Sequence, residues 1–330
     1  MLCRNYRITV SFILFLLAGN SFGQELYPLS EPASSVPKGV IGIRAFTQNF
    51  REVNTNRSLD VLRVMYGVTS KVSVIVTGSI SNHHDRKLPP DLIAHTHTTN
   101  QTIYYTQSIK RGVDYPYLFN GLHLFAKYRF LSLDRKNEHF RMALYGEWSD
   151  VKVAHDEAEP NLMDDTGGYG AGTIATWLKN RFAASVTGGF VKPNPYFETQ
   201  PDFTGGPDLP TKIYYGDAIK YSLSFGYRLS PRHYTDYDQP NWNLYMEFIG
   251  KKYDAARVIQ NGIEITTKSI ALTDGTYMEV HPGIQRIVKS NLRIDFSVGF
   301  SLIGSSYVHF NPMWTFGVQR YFYRKGKSKP

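Results

Sequence analysis

The sequence holds one cysteine in 330 residues, Cys3. It sits ahead of an apolar run inside what reads as a leader, so the processed chain has no thiol. Disulfides, thiol nucleophiles and thiolate metal sites are thereby excluded. A cysteine before the run, rather than after it, also argues against lipidation at a processed terminus. Beyond residue 23 no stretch reaches the roughly 18 apolar residues that a membrane-crossing helix needs. There is no P-loop, nucleophile elbow or HExxH motif. A hydrolase in a membrane wall would need a Ser–His pair. His123 and Ser222 lie on polar strand faces with nothing to join them, so the chain is not expected to be an enzyme. No cofactor motif occurs either. The net charge of +9 includes Arg4 and Arg7 of the leader and Arg324, Lys325, Lys327 and Lys329 of the tail. The remainder is too mildly basic to predict a nucleic-acid partner.

Residues 1–23 are expected to be an export signal. Arg4 and Arg7 precede the short apolar run from Ile8 to Gly19, and Ser21 and Gly23 are small residues before a cut at Gln24. Residues 24–37, with Pro28, Pro32 and Pro37, read as an extended periplasmic lead-in. Residues 38–323 read as one all-β unit, and 324–330 as a basic, disordered tail.

What is abundant is aromatic residues, 14% of the chain, and period-two alternation. Over Arg293–Leu302 every second residue is apolar: Ile294, Phe296, Val298, Phe300 and Leu302. Successive strand side chains point to opposite faces, so one face is oily and the other wet. Twelve such segments are predicted: 38–47, 59–68, 71–81, 116–131, 139–150, 167–178, 181–192, 218–230, 241–254, 275–287, 292–303 and 313–323. The sixth is Gly-rich with no clean oily face. Pro282 removes a ladder donor from the tenth, where a bulge is expected.

Connections alternate in length. Thr69-Ser70, Lys179-Asn180 and the residues around Lys289-Ser290-Asn291 are tight turns, whereas 82–115, 151–166, 193–217 and 255–274 are long. Short turns at one rim and long loops at the other are the habit of outer-membrane barrels. Only a closed barrel pairs every backbone group of a strand in hydrocarbon. The expected fold is therefore a transmembrane antiparallel up-and-down β-barrel of about twelve strands in a bacterial outer membrane. Both termini are expected on the periplasmic side and the long loops outside. Tyr66, Tyr128, Phe130, Trp148, Trp177, Phe190, Tyr227 and Trp242 fall near segment ends, where belts facing lipid headgroups are expected.

Charged residues fall opposite the oily rows and are read as lumen-facing. The cations are Arg44, Arg63, Lys127, Arg129, Arg141, Lys220, Arg228 and Arg293. They outnumber the acids Glu147, Glu247 and Asp295. A cationic lumen would attract small anionic solutes. Barrels of 16 to 18 strands leave a clear channel and smaller ones fill with side chains, so twelve leaves a narrow channel and a closed barrel both open. Two loops carry ligand-type residues. His83, His84, His95 and His97, with Asp85 and Asp91, suit zinc or copper. Asp150, Asp156, Glu157, Glu159, Asp164 and Asp165 suit calcium or bridging to lipid headgroups, without EF-hand spacing.

The strand–turn–strand segment Tyr66-Gly67-Val68-Thr69-Ser70-Lys71-Val72-Ser73-Val74 resembles outer-membrane transporters grouped with a phenol-degradation (MetA) pathway. Leu124–Leu131 followed by His139-Phe140-Arg141-Met142-Ala143 is similar to Bacteroidetes-type barrels. The resemblance covers most of the processed chain and implies a barrel and transport, without a substrate. The last strand, Trp314–Tyr323, resembles the C-terminal signal read by the barrel-assembly machinery, with Phe322 in one of its two apolar positions and Arg320 departing at the other. Three functions are weighed: a passive or substrate-selective channel, a closed barrel that presents its loops for binding or anchoring, and a membrane-embedded hydrolase.

Overall fold

The computed structural model describes residues 27–52, 55–83, 95–99, 102–106, 116–151, 159–200, 206–232, 239–267, 272–306 and 310–323. The expected signal, the tail and His84 lie outside these residues. In chain order the strands are β1 (Ile41–Glu52), β2 (Thr55–Gly67), β3 (Val72–Ser81), β4 (His95–Thr99), β5 (Thr102–Thr106), β6 (Leu118–Arg135), β7 (Glu138–Val151), β8 (Gly168–Lys179), β9 (Phe182–Pro193), β10 (Tyr196–Gln200), β11 (Leu209–Tyr214), β12 (Ala218–Ser230), β13 (Asn241–Tyr253), β14 (Arg257–Gln260), β15 (Ile263–Thr267), β16 (Gly275–Val288), β17 (Leu292–Ile303) and β18 (Met313–Phe322).

Twelve of them close a barrel in the order β1-β18-β17-β16-β13-β12-β9-β8-β7-β6-β3-β2. All its pairings are antiparallel, and the seam runs from Ile41↔Phe322 to Asn49↔Trp314. These are the twelve predicted segments, several of them longer than the alternation alone defines. The other six strands were not predicted. They come from the three longest loops and form a second sheet, β10-β11-β14-β15-β5-β4. Its one parallel pairing, β15 with β5, joins loops far apart in sequence. Its own small core holds Ile213, Tyr215, Val258, Ile265 and Leu272.

Alternation sets the two faces of the barrel. Phe296 is 41% exposed and its neighbour Ser297 1%. The same inversion holds for Leu62 against Arg63, Leu124 against His123 and Met246 against Glu247. The outer wall is thus a continuous apolar surface, as lipid-facing walls are. The tight turns need left-handed backbone, and Asn180 (φ 54°), Lys289 (φ 50°) and Ser290 (φ 51°) supply it. The expected bulge near Pro282 lies a few residues earlier, at Met278/Glu279 on the β17 side. Pro282 itself pairs with Met246 on the β13 side.

The Gly-rich strand β8 has a physical reason. Tyr145 lies flat across the inner wall, over Gly172 and Gly189. A Cβ on Gly172 would stand 2.6 Å from the Tyr145 hydroxyl, and one on Gly189 would overlap it. Glycine there is space for a ring. Gly189→Val should therefore lower barrel stability by about 2 kcal/mol, as overpacking does. The temperature at which the folded form loses its distinct gel mobility reads this out. An unchanged temperature would show that the ring has room to move aside.

Candidate functional site

The lumen is filled from both ends, leaving a chamber between. From the rim of short turns enters the segment Tyr27–Val36. The sequence reading placed it outside the barrel; the structure places it inside. Tyr27 is 1% exposed, and Ala33 and Val36 join a buried cluster with Met65, Ile75, Phe125 and Tyr145. The segment is too apolar for a solvated linker, and the barrel interior is where its Tyr, Leu, Val and prolines escape water.

Polar contacts fix its register. Glu31 bridges two lumen cations, Arg63 at 2.7 Å and Lys127 at 3.3 Å. Lys127 also donates to the carbonyl of Pro32 at 2.6 Å. In the opposite sense, Glu247 accepts from the backbone N–H groups of Leu29 (3.0 Å) and Ser30 (2.7 Å) and from the Ser30 hydroxyl (2.7 Å). The Ala33 N–H donates to Thr176, and Arg141 donates to Ser34.

From the other side descends residues 159–166. The sequence offers acids of this loop for calcium or lipid headgroups; Glu159 and Asp164 are fully buried inside the barrel instead. Lys251, the Tyr277 hydroxyl and the Ser306 hydroxyl converge on Glu159 at 3.3, 3.0 and 3.0 Å. Leu162 packs with Val191, Ala218, Tyr253 and Tyr277. Burial without such partners would cost several kcal/mol per charge; here three donors share one carboxylate. At the insert's rim His83 approaches Asp164 (3.4 Å) and Asp165 (3.9 Å). Burial pushes the His83 imidazole down, but the two carboxylates outweigh it and raise it to about 9.

The chamber between the inserts measures about 290 Å³. Leu29, Ser30 and Glu31 line its floor and Asn161, Met163 and Asp164 its roof. Its wall carries Glu147, ion-paired with Lys220 and 3.1 Å from His123, and beyond them His281, 3.2 Å from Glu279. Phe46, Phe125, Met313 and Ile174 make the rest largely apolar. His123 thus meets a carboxylate. No hydrogen bond joins it to Ser222.

The remaining candidates sit as follows. Arg44 and Arg293 both reach Asp295, at 3.0 and 3.2 Å, within the wall. Arg129 donates to the Ser70 carbonyl at the turn rim. Arg228 pairs by its backbone with Arg181 at the same rim. Of the eight predicted lumen cations, Arg63 and Lys127 hold the floor and Lys220 the chamber. Sequence reasoning did not place in the lumen the acids that the two inserts bring in, Glu31 and Glu159 foremost. Of the His-rich set, His84 lies outside the described residues. His83 turns to acids of another loop, and His95 and His97 pair by backbone with Thr106 and Tyr104 in the second sheet.

A closed twelve-stranded antiparallel barrel, oily outside and charged within, has the architecture of outer-membrane barrels. Comparison with solved structures agrees on the fold. The chain is similar to an outer membrane channel from Pseudomonas putida F1, with a TM-score of 0.56 and 9% identity over 90% of this chain and 100% of that one. The NanC porin gives a TM-score of 0.42 at 8% identity, covering 86% of this chain and 99% of that one. The CymD monoaromatic hydrocarbon channel gives 0.41 at 8%, covering 88% and 90%. No protein-family model and no curated protein matches the sequence.

Proposed function

We propose that the protein is a gated outer-membrane channel, closed in this structure, that passes small anionic solutes when its N-terminal insert withdraws. One observation carries the reading: the insert is held by the charges that would line an open path. With Glu31 seated, Arg63 and Lys127 share one counter-charge, which halves their positive excess. With Glu31 gone, both cations face the lumen and favour anions. A packed structural barrel has no need of a removable counter-ion. Export to the outer membrane, the signal at 1–23 and the barrel-assembly machinery as partner belong to this proposal. So does kinship with transporters of the phenol-degradation (MetA) pathway and with Bacteroidetes barrels, which rests on the Tyr66–Val74 hairpin and its neighbours.

The test is current through the full-length protein in planar bilayers under a salt gradient. Brief openings with anion preference are expected. The double variant Arg63→Ser, Lys127→Ser should open more often, having lost its hold on Glu31, and should lose most of the preference. A folded barrel that never conducts would exclude the channel. A second reading, a surface platform, is favoured by the six-stranded loop sheet. It predicts that loss of that sheet abolishes partner binding with conductance unchanged.

A further inference from the structure

We propose that His83, Asp164 and Asp165 form a binding site for one divalent transition-metal ion, zinc or manganese, that clamps the outer insert to the end of β3. One nitrogen and two carboxylate oxygens from these residues all lie within 4.8 Å of one another. Their side chains are 5%, 0% and 0% exposed, so the cluster is enclosed rather than a solvated patch. A tetrahedral ion with ligands near 2.0–2.1 Å separates its ligand atoms by about 3.3 Å. His83 Nε2 and Asp164 Oδ2 already stand 3.4 Å apart, and Asp165 Oδ1 at 3.9 Å needs to close by about half an ångström.

A second observation points to a ligand. Asp164 Oδ2 is buried and has no hydrogen bond of normal geometry; the His83 imidazole faces it at 3.4 Å. A carboxylate oxygen held by so loose a contact in such a place is costly. The other oxygen, Oδ1, accepts from Asn161 Nδ2 at 2.7 Å, which turns Oδ2 toward the imidazole. Oriented ligands of this kind are the usual support of a metal site. Charge agrees: one imidazolium offsets one of the two carboxylates, whereas a divalent ion with neutral imidazole offsets both. The donor set selects the metal. One imidazole with two carboxylates suits zinc or manganese. Calcium asks for six or more oxygens, which three residues do not supply.

The site joins residues that the sequence keeps far apart, at the start of one extracellular loop and the end of another. An ion there would hold the roof of the chamber in place. That consequence rests on the channel reading, but binding does not, so the two fail separately. The experiment is titration of full-length protein in detergent, first stripped with a chelator, with zinc chloride and separately with manganese chloride, followed by calorimetry. About one ion per chain is expected for at least one metal. Asp164→Asn and His83→Gln should each weaken it by at least about tenfold, while the double variant His95→Gln, His97→Gln should bind as the parent does. Wild-type protein that binds neither metal overturns the proposal, as does loss of binding in the His95, His97 variant alone. Should His83→Gln fail to fold, Mn²⁺ on the wild-type protein serves instead. Its spin-echo spectrum should show a histidine nitrogen, and coordination by oxygen alone overturns the site.

Discussion

On the channel reading, a chain lacking residues 24–34 is expected to conduct steadily where the intact chain is mostly shut. The described part of this segment fills the short-turn half of the lumen through the Glu31 bridge and the three donors on Glu247. Breaking a buried ion pair costs roughly 3 kcal/mol at the low end. A gap of that size holds the open fraction of the intact protein near or below about one per cent. Deletion removes the gap, so the open fraction approaches one. The wall is spared, because Val36 and Val40, which pack against Met65 and Tyr321, are retained. Removing Glu31 also takes one negative charge from the path, so the reversal potential in a salt gradient should shift further toward the anion side. Equal single-channel records from the truncated and intact proteins would show that the obstruction lies elsewhere.

Phe296→Arg is expected to block assembly, whereas Ser222→Arg is expected to leave a folded barrel. Phe296 projects from the middle of β17 on the outer face, stacked with Trp314 at 5.8 Å. An arginine facing lipid at mid-depth costs roughly 2–4 kcal/mol, on top of the lost apolar contact. Ser222 lines the chamber, where a guanidinium finds space and Glu147 nearby. The apparent control beside Phe296 is a poor one. Ser297 faces inward as the alternation predicts, but it is fully packed, and arginine there would overfill the wall. The amount of folded protein recovered in outer membranes separates the two variants. Equal yields would contradict the assignment of inner and outer faces.

The wall was written plainly in the residues, and its contents were not. Period two is a local property: Ile294 and Phe296 announce their face without reference to any partner. All twelve barrel strands follow from that and from short turns such as Lys179-Asn180. The glycines of β8 blur its alternation because the ring they make room for, Tyr145, is a neighbour across strands. The inserts are different. Nothing within Tyr27–Val36 says that Glu31 meets Arg63 and Lys127, which come from β2 and β6. A hint was present in the apolar content of that segment, unsuited to a wet linker. The acidic stretch 159–166 resembles surface loop because carboxylates are usually hydrated; three donors from β13, β16 and the last loop reverse that preference. The six strands of the outer sheet are short, and their pairing is decided between loops rather than within any one of them.

The insert's seat is made of residues on β2, β6 and β13, and the seam strand β1 begins only a few residues after it ends. The tether is too short to let the segment wander from the barrel mouth. The peptide that fills the lumen and the strand that closes the wall against β18 are therefore one continuous stretch of chain, so whatever displaces the first pulls directly on the seam.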